Sequence, residues 1–355
     1  VRQLYYSQAD AEAAILQRDI YAVVIIPEDF SRNILSSQPA TLTLQVNAQY
    51  GTHSGIIQAG VQAVASTLSA GVEIKRLVKQ GVAPSQAMTA YAPISVQRIS
   101  LFNAATNYQQ FLASTVIPAL LHILAMVIGA TTIGRELRDK NIGRWYRFID
   151  TGKPHLTLSK TLKTTSSLST KQDSSNNKTS SSSAKVPHSV SLSVLVFGLL
   201  GKYFWPILAY SLWSALILWL ATSNQNINIM SLMAVYAGFL CLMVLSFWLG
   251  AIFTLNSFSL RMGLSTTGFI SAPSYAFAGV TFPYIAISDS AQYWSNALPL
   301  THYLKLHIAQ LQMQAPIAIS VPIVYGLALA TIIAMLLTAL LTKRALAHPE
   351  RWGAR

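Results

Sequence analysis

Residues 108–133 carry no charged side chain. A helix of that length, rising 1.5 Å per residue, covers the roughly 30 Å of a bilayer's hydrocarbon core. In lipid every backbone N–H and C=O must be satisfied inside the segment, so such a run crosses as a helix. Further apolar runs follow at 203–221, 229–253, 262–282 and 317–341, the last being the clearest. The whole chain agrees: 52% of it is hydrophobic and 10% charged, with mean hydropathy +0.42, where a soluble domain carries about 25% charged residues. The expected fold class is an α-helical polytopic membrane protein with five visible transmembrane helices and an extracytoplasmic α/β domain.

Pro118 is expected to kink the first run, and His122 within it reads as a packed, neutral side chain. The run at 262–282 is only moderately apolar. Its Gly263, Gly268, Ser271, Ala272, Ala276, Ala278 and Gly279 favour close packing, in the bundle first and at a dimer seam or pathway as the alternative. Residues 190–201 are apolar but stop at Lys202, which reads as an interfacial approach helix ahead of a span from Tyr203. The single cysteine, Cys241, lies in an apolar run, so no intrachain disulfide can form.

Residues 1–107 read as an α/β domain. Residues 21–26 form a short β-branched run, 41–46 and 94–101 alternate as strands, and 53–79 has few breakers and reads as one helix. Residues 134–145, within a segment 134–150 expected on the cytoplasmic side, mix both charge signs with Leu137, Ile142 and Trp145, as an amphipathic helix at a membrane face does; a plain positive flank that fixes orientation explains the charges equally well. Residues 151–189 are rich in Ser, Thr, Lys and Asn and lack the apolar content to fold. They read as a disordered insertion. Asn177-Lys178-Thr179 within it is a formal sequon on the expected cytoplasmic side.

Net charge +13 does not point to nucleic acid, because Lys and Arg gather in 135–185 and in the tail 343–355. Placing 1–107 outside puts both groups, and Arg261, in the cytoplasm. The short outer loops 222–228 and 283–316 then hold one basic residue, Lys305, as the positive-inside rule requires.

Catalytic chemistry is missing from the sequence. The apolar runs contain no Asp or Glu, the groups from which proton-coupled carriers build relays. His302 and His307 are spaced off a common helix face, and no metal-binding pattern occurs. Gly201-Lys202 lacks the flanking glycine and the following Ser or Thr of a phosphate-binding loop. The chain reads as a non-enzyme with no cofactor of its own.

The most informative stretch is Gly279-Val280-Thr281-Phe282-Pro283, a polar run with Trp294, and then Pro299-Leu300-Thr301-His302-Tyr303. Prolines with interfacial aromatics between them suit backbone that dips into a membrane face without spanning it. Phe282-Pro283 and the Pro-Leu-Thr-x-Tyr run resemble, in type and order, the permease subunits of ABC-2-type exporters. Ile26-Pro27-Glu28-Asp29-Phe30-Ser31 is similar to a signature of their external domain, and Leu200-Gly201-Lys202 to a step common near that point. Gly134-Arg135-Glu136-Leu137-Arg138 and Gly143-Arg144-Trp145 resemble their coupling element, although Lys140-Asn141-Ile142 stands where many members have a shorter Gly-Thr step.

The resemblance implies a first helix ahead of residue 1, with the large external domain between the first and second helices. It implies ATPase-coupling residues Arg135, Glu136, Arg138, Asp139, Gly143 and Trp145, and an outer re-entrant motif of Gly279, Phe282, Pro283, Pro299, Leu300, Thr301 and Tyr303. Its implied partners are an ABC ATPase subunit holding ATP and Mg, a second permease copy or paralogue, a periplasmic adaptor and membrane lipid, in a bacterial inner membrane. The implied cargo is amphipathic or hydrophobic, drugs among the candidates, moved outward. The alternative reading is a membrane-anchored scaffold or receptor whose external domain binds a ligand.

Overall fold

The computed structural model describes residues 3–36, 38–81, 94–102, 108–151, 190–223, 227–282, 284 and 287–353. They form two compact units, one from Val1–Leu124, Tyr210–Leu245 and Phe269–Thr331, the other from Ala125–Ala209, Ser246–Gly268 and Ile332–Arg355. Of the insertion expected at 151–189, Thr151 ends a helix and residues 152–189, with the sequon, lie outside the described residues, as does Pro283.

The first unit begins with α1 (Gln8–Gln17), β1 (Ala22–Ile25), α2 (Phe30–Leu35), β2 (Ala40–Asn47), α3 (Gly51–Lys79) and β3 (Ile94–Leu101). The sheet order is β1-β2-β3. β1 runs antiparallel to β2 with Ala22 opposite Val46, and β3 runs parallel to β2 with Ile94 opposite Ala40. A parallel neighbour needs a crossover, which α3 supplies. The alternation in β2 buries Ala40, Leu42, Leu44 and Val46. Leu42 and Ala65 pack with Phe30, Ile34 and Val96 as the domain's core.

Among the described residues five helices are long and apolar enough to cross a membrane: His53–Lys79, Ser114–Arg138, Leu192–Thr222, Ile229–Ser257 and Ile317–Ala347. The first meets that standard by length and composition only; as α3 it packs on β2 and β3. The others belong to α4 (Tyr108–Arg138), α6 (Leu192–Thr222), α7 (Ile229–Ser257) and α12 (Ile317–Ala347). Between them lie α5 (Ile142–Thr151), α8 (Leu260–Ser271), α9 (Ser274–Phe277), α10 (Asp289–Ala297) and α11 (Pro299–His307).

Three sequence expectations are corrected. The span expected at 262–282 is delivered as α8 and α9, broken at Ala272-Pro273. Proline offers no N–H and disfavours helical geometry in the residue before it, and neither piece is long enough to cross. The approach helix expected at 190–201 and the span from Tyr203 are one continuous α6, with Lys202 inside it. The amphipathic element expected across 134–145 is split. Residues 134–138 are the last turn of α4, and α5 starts only at Ile142. The break is a Schellman cap: Asn141 N–H bonds the Glu136 carbonyl at 2.8 Å and Lys140 N–H the Leu137 carbonyl at 3.2 Å. Lys140 takes the left-handed conformation at φ 54° that glycine usually fills.

Within the second unit α4 and α7 cross at glycine. A Cβ on Gly129 would lie 2.1 Å from the Phe247 carbonyl oxygen, and one on Gly250 2.0 Å from that of Met126. Small residues at such a crossing let the two backbones touch, the usual way helices associate in lipid.

Candidate functional site

One cluster, on the segment expected to face the cytoplasm, is built from the end of α4, from α5, from the first turns of α6 and from the C-terminal tail. α5 places Ile142, Trp145, Tyr146 and Ile149 at i, i+3, i+4 and i+7, one apolar stripe. Ile142 and Tyr146 are fully buried. The stripe packs on α6 where Gly198 leaves room: a Cβ there would stand 2.3 Å from Ile149 Cδ1 and 3.4 Å from Trp145. The Tyr146 hydroxyl accepts from Ser191 N–H at 3.3 Å.

Lys202 closes the cluster. Its Nζ donates to Glu136 Oε1 at 2.6 Å and lies 5.2 Å from the centre of the Trp145 ring. A lone cation in an apolar helix is costly unless paired, and Glu136 in the last turn of α4 supplies the pair. Of the residues assigned to ATPase coupling, Glu136 and Trp145 are therefore brought together through Lys202. Arg135, Arg138 and Asp139 are exposed, as is Arg144. Arg138 and Asp139 pair with each other at 2.8 Å, and the Arg138 guanidinium holds the Asp139 carboxyl below its usual range. Gly143 faces the tail: a Cβ there would meet Trp352 at 3.0 Å. Trp352 donates its indole N–H to the Ala345 carbonyl at 2.6 Å, and Gly353 N–H bonds the Phe258 carbonyl at 3.2 Å. Arg344 and Arg351 stand over the Phe258 ring at 5.7 and 4.4 Å. The tail thus braces the turn between α7 and α8 rather than merely adding charge.

The motif expected to be re-entrant on the outer face lies in the first unit. Gly279 takes φ 72°, where a Cβ would sit 2.7 Å from Arg18 Nη2. Arg18 donates to the Gly279 carbonyl at 3.1 Å and the Ala278 carbonyl at 3.4 Å, with its guanidinium 5.3 Å from the Tyr50 ring centre. Tyr50, Tyr21 and His53 form one ring cluster with centroids 4.9–5.5 Å apart. The α/β domain is therefore clamped onto the backbone of the motif. Phe282 is exposed.

Pro299 opens α11 at its first turn, a position where its missing N–H is no loss. Leu300 and Tyr303 are fully buried and Thr301 nearly so. Tyr303 stacks on Phe239 of α7 at 5.0 Å and hydrogen-bonds His307 Nδ1 at 3.0 Å. Burial lowers the His307 pKa to about 4. Leu306 fits against Gly238, where a Cβ would be 2.3 Å from it. α10 and α11 have 9 residues each, too short to cross. His302 instead meets the Asn296 carbonyl at 2.8 Å, and no group of metal-ligating side chains occurs among the described residues.

Sequence reading missed Lys202 as a partner of Glu136; its isolation in an apolar run was the available signal. It also missed Arg18, Trp352 and the break at Pro273. Nothing local marks Arg18, because its acceptors lie 260 and 261 residues away.

No curated protein and no solved structure matches the chain. Residues 1–164 match the family model described as ABC-2 family transporter protein. That match covers the α/β domain, α4 and α5, and stops short of the outer motif. Residues 1–164, under half of the chain, are thus similar to ABC-2 family transporter proteins, and the long apolar helices fit a multi-pass membrane protein.

Proposed function

We propose that the chain is the membrane subunit of an exporter, moving an amphipathic or hydrophobic substrate outward while a separate ATPase subunit, holding ATP and Mg, supplies the energy. The observation that carries this is the inner cluster. Glu136, Lys202 and Trp145 lock α4, α5 and α6 together, while Arg135, Arg138, Asp139 and Arg144 stay exposed beside them. A push on the exposed charges would reach α4 and α6 as one body.

Glu136 acts here as an internal tie, and docking falls to the exposed arginines. The exposed aromatic length of α6, with Phe197, Phe204, Trp205, Trp213 and Trp219, suits a second permease copy or lipid. A periplasmic adaptor and a bacterial inner membrane complete the proposed setting.

The test is copurification of the full chain with a nucleotide-binding subunit encoded beside it. Reversing Arg135, Arg138 and Arg144 to Glu should abolish recovery, and ATP-dependent efflux should disappear with it. Efflux that persists without any ATPase and collapses with the proton gradient would overturn the proposal.

A further inference from the structure

A second feature lies among the start of α7, the chain after α11 and the start of α12. α11 runs into a π-helical turn, Ile308–Gln312, closed by a bond from Met313 N–H to the Ile308 carbonyl at 3.0 Å. Such turns carry an extra residue and often mark functional sites. The backbone then reverses through Gln314, which takes φ 47°, a left-handed conformation that is uncommon without glycine. Pro316 leads directly into α12. The turn leaves a cleft of about 360 Å³, walled by Met230, Ala315, Pro316 and Ile317 and edged by Asn228, Ser231, Gln310 and Gln314. None of its lining residues is charged.

Gln310 is fully buried. Its Nε2 donates to the Ala315 carbonyl at 3.2 Å and to Ser320 Oγ at 2.7 Å. A carbonyl can only accept, so the amide cannot be turned round and Oε1 is the atom left over. Among the described residues Oε1 has no partner. A buried acceptor without a donor costs about 1–3 kcal/mol, and such groups call for an explanation. The first turns of α7 and α12 also leave backbone N–H groups in need of acceptors, of which Asn228 Oδ1 takes one, that of Met230, at 3.0 Å.

These needs select a chemistry. A carboxylate or phosphate suits helix N-termini but would face Gln310 Oε1, with no cation on the lining. An ammonium would satisfy Oε1 but would meet the positive ends of two helix dipoles. A hydroxyl both donates and accepts, and the apolar walls take the carbon body attached to it. We propose that this cleft binds the uncharged, hydroxyl-bearing end of an amphiphile, with the hydroxyl donating to Gln310 Oε1. The ligand is either a resident lipid of the glycerol type or a transported solute; the chemistry is shared. The site does not depend on the export reading, since it would bind in the absence of ATP or an ATPase.

The test uses the purified full chain in nanodiscs with three photoreactive probes of equal chain length, ending in alcohol, carboxylate and amine. The alcohol should label peptides carrying Met230 or Ile317 at least tenfold more than the other two. Ile317→Trp, which fills the cleft without touching the Gln310 bonds, should remove the labelling while leaving the thermal midpoint within a few degrees. Gln310→Leu should weaken the alcohol about tenfold and leave a methyl-ether probe unchanged. Competition by monoacylglycerol would identify a resident lipid, and competition only by a water-soluble alcohol a solute; either supports the site. Equal labelling by all three head groups, absence of labelling, or labelling indifferent to both substitutions would overturn it.

Discussion

Gly250→Ala is the sharpest single perturbation of the helix bundle. The new Cβ would lie 2.0 Å from the Met126 carbonyl oxygen, whereas ordinary contact begins near 3.4 Å, so α4 and α7 must part by about 1.4 Å. Neither partner atom can yield alone, because both belong to helix backbone. Overpacking of this kind costs about 1–3 kcal/mol. Parting the helices also stretches the bond from Thr254 Oγ1 to the Ala130 carbonyl, already at 3.4 Å, a loss of about 1 kcal/mol. The expected total is about 3 kcal/mol, or roughly a hundredfold in the unfolding equilibrium. The assay is reversible unfolding of the full chain in bicelles by graded addition of a denaturing detergent, followed by tryptophan fluorescence. Gly129→Ala should cost a similar amount. The double variant should cost clearly less than the sum, because the second methyl enters space the first has opened. Gly201→Ala and Gly268→Ala are the controls: nothing lies within 4 Å of either, and alanine's helix propensity should leave stability unchanged or raised by up to about 1 kcal/mol. A Gly250→Ala loss below about 0.5 kcal/mol, or strict additivity, would refute the close crossing.

Other consequences are equally specific. Glu136→Gln should destabilise by about 1–2 kcal/mol by leaving Lys202 half-buried without its charge partner, and the swapped pair Glu136→Lys with Lys202→Glu should recover part of that, measured as a double-mutant cycle. Gly279→Ala should cost about 2 kcal/mol, from left-handed backbone and the 2.7 Å approach of Arg18, and should speed proteolysis of the α/β domain. His307 is neutral in the fold because burial lowers its pKa to about 4 from the usual 6.5. The unfolded chain therefore binds the proton first, and stability falls as pH drops from 6.5 toward 4, by about 2 kcal/mol at pH 5. His307→Gln should flatten that part of the pH profile relative to the unsubstituted chain.

The sequence displayed whatever depends on local periodicity. The uncharged runs became α4, α7 and α12, and the alternation at 41–46 became β2. What it hid depends on partners far along the chain. Lys202 broke the apolar count, so the run around it was divided; Glu136 restores the balance and the helix continues. The small residues of 262–282 drew attention away from Pro273, where the backbone breaks. Lys140 gave no sign that it would occupy a left-handed cap, so 134–145 read as one element rather than two. Aromatics and prolines singled out residues 279–303, but nothing marked the clamp on Gly279, since Arg18 looks like any basic residue after a short helix.

A separate ATPase can reach the exposed arginines Arg135, Arg138 and Arg144 only if they face a different compartment from the α/β domain. Cys241 is the chain's single cysteine, so Cys241→Ala gives a clean background for Gln62→Cys in α3 and Arg144→Cys in α5, both exposed positions. Whole cells with a permeable outer envelope are treated with a membrane-impermeant maleimide. Position 62 should label, and position 144 should stay protected until the membrane is opened by detergent. Equal labelling at both positions in intact cells would contradict that arrangement.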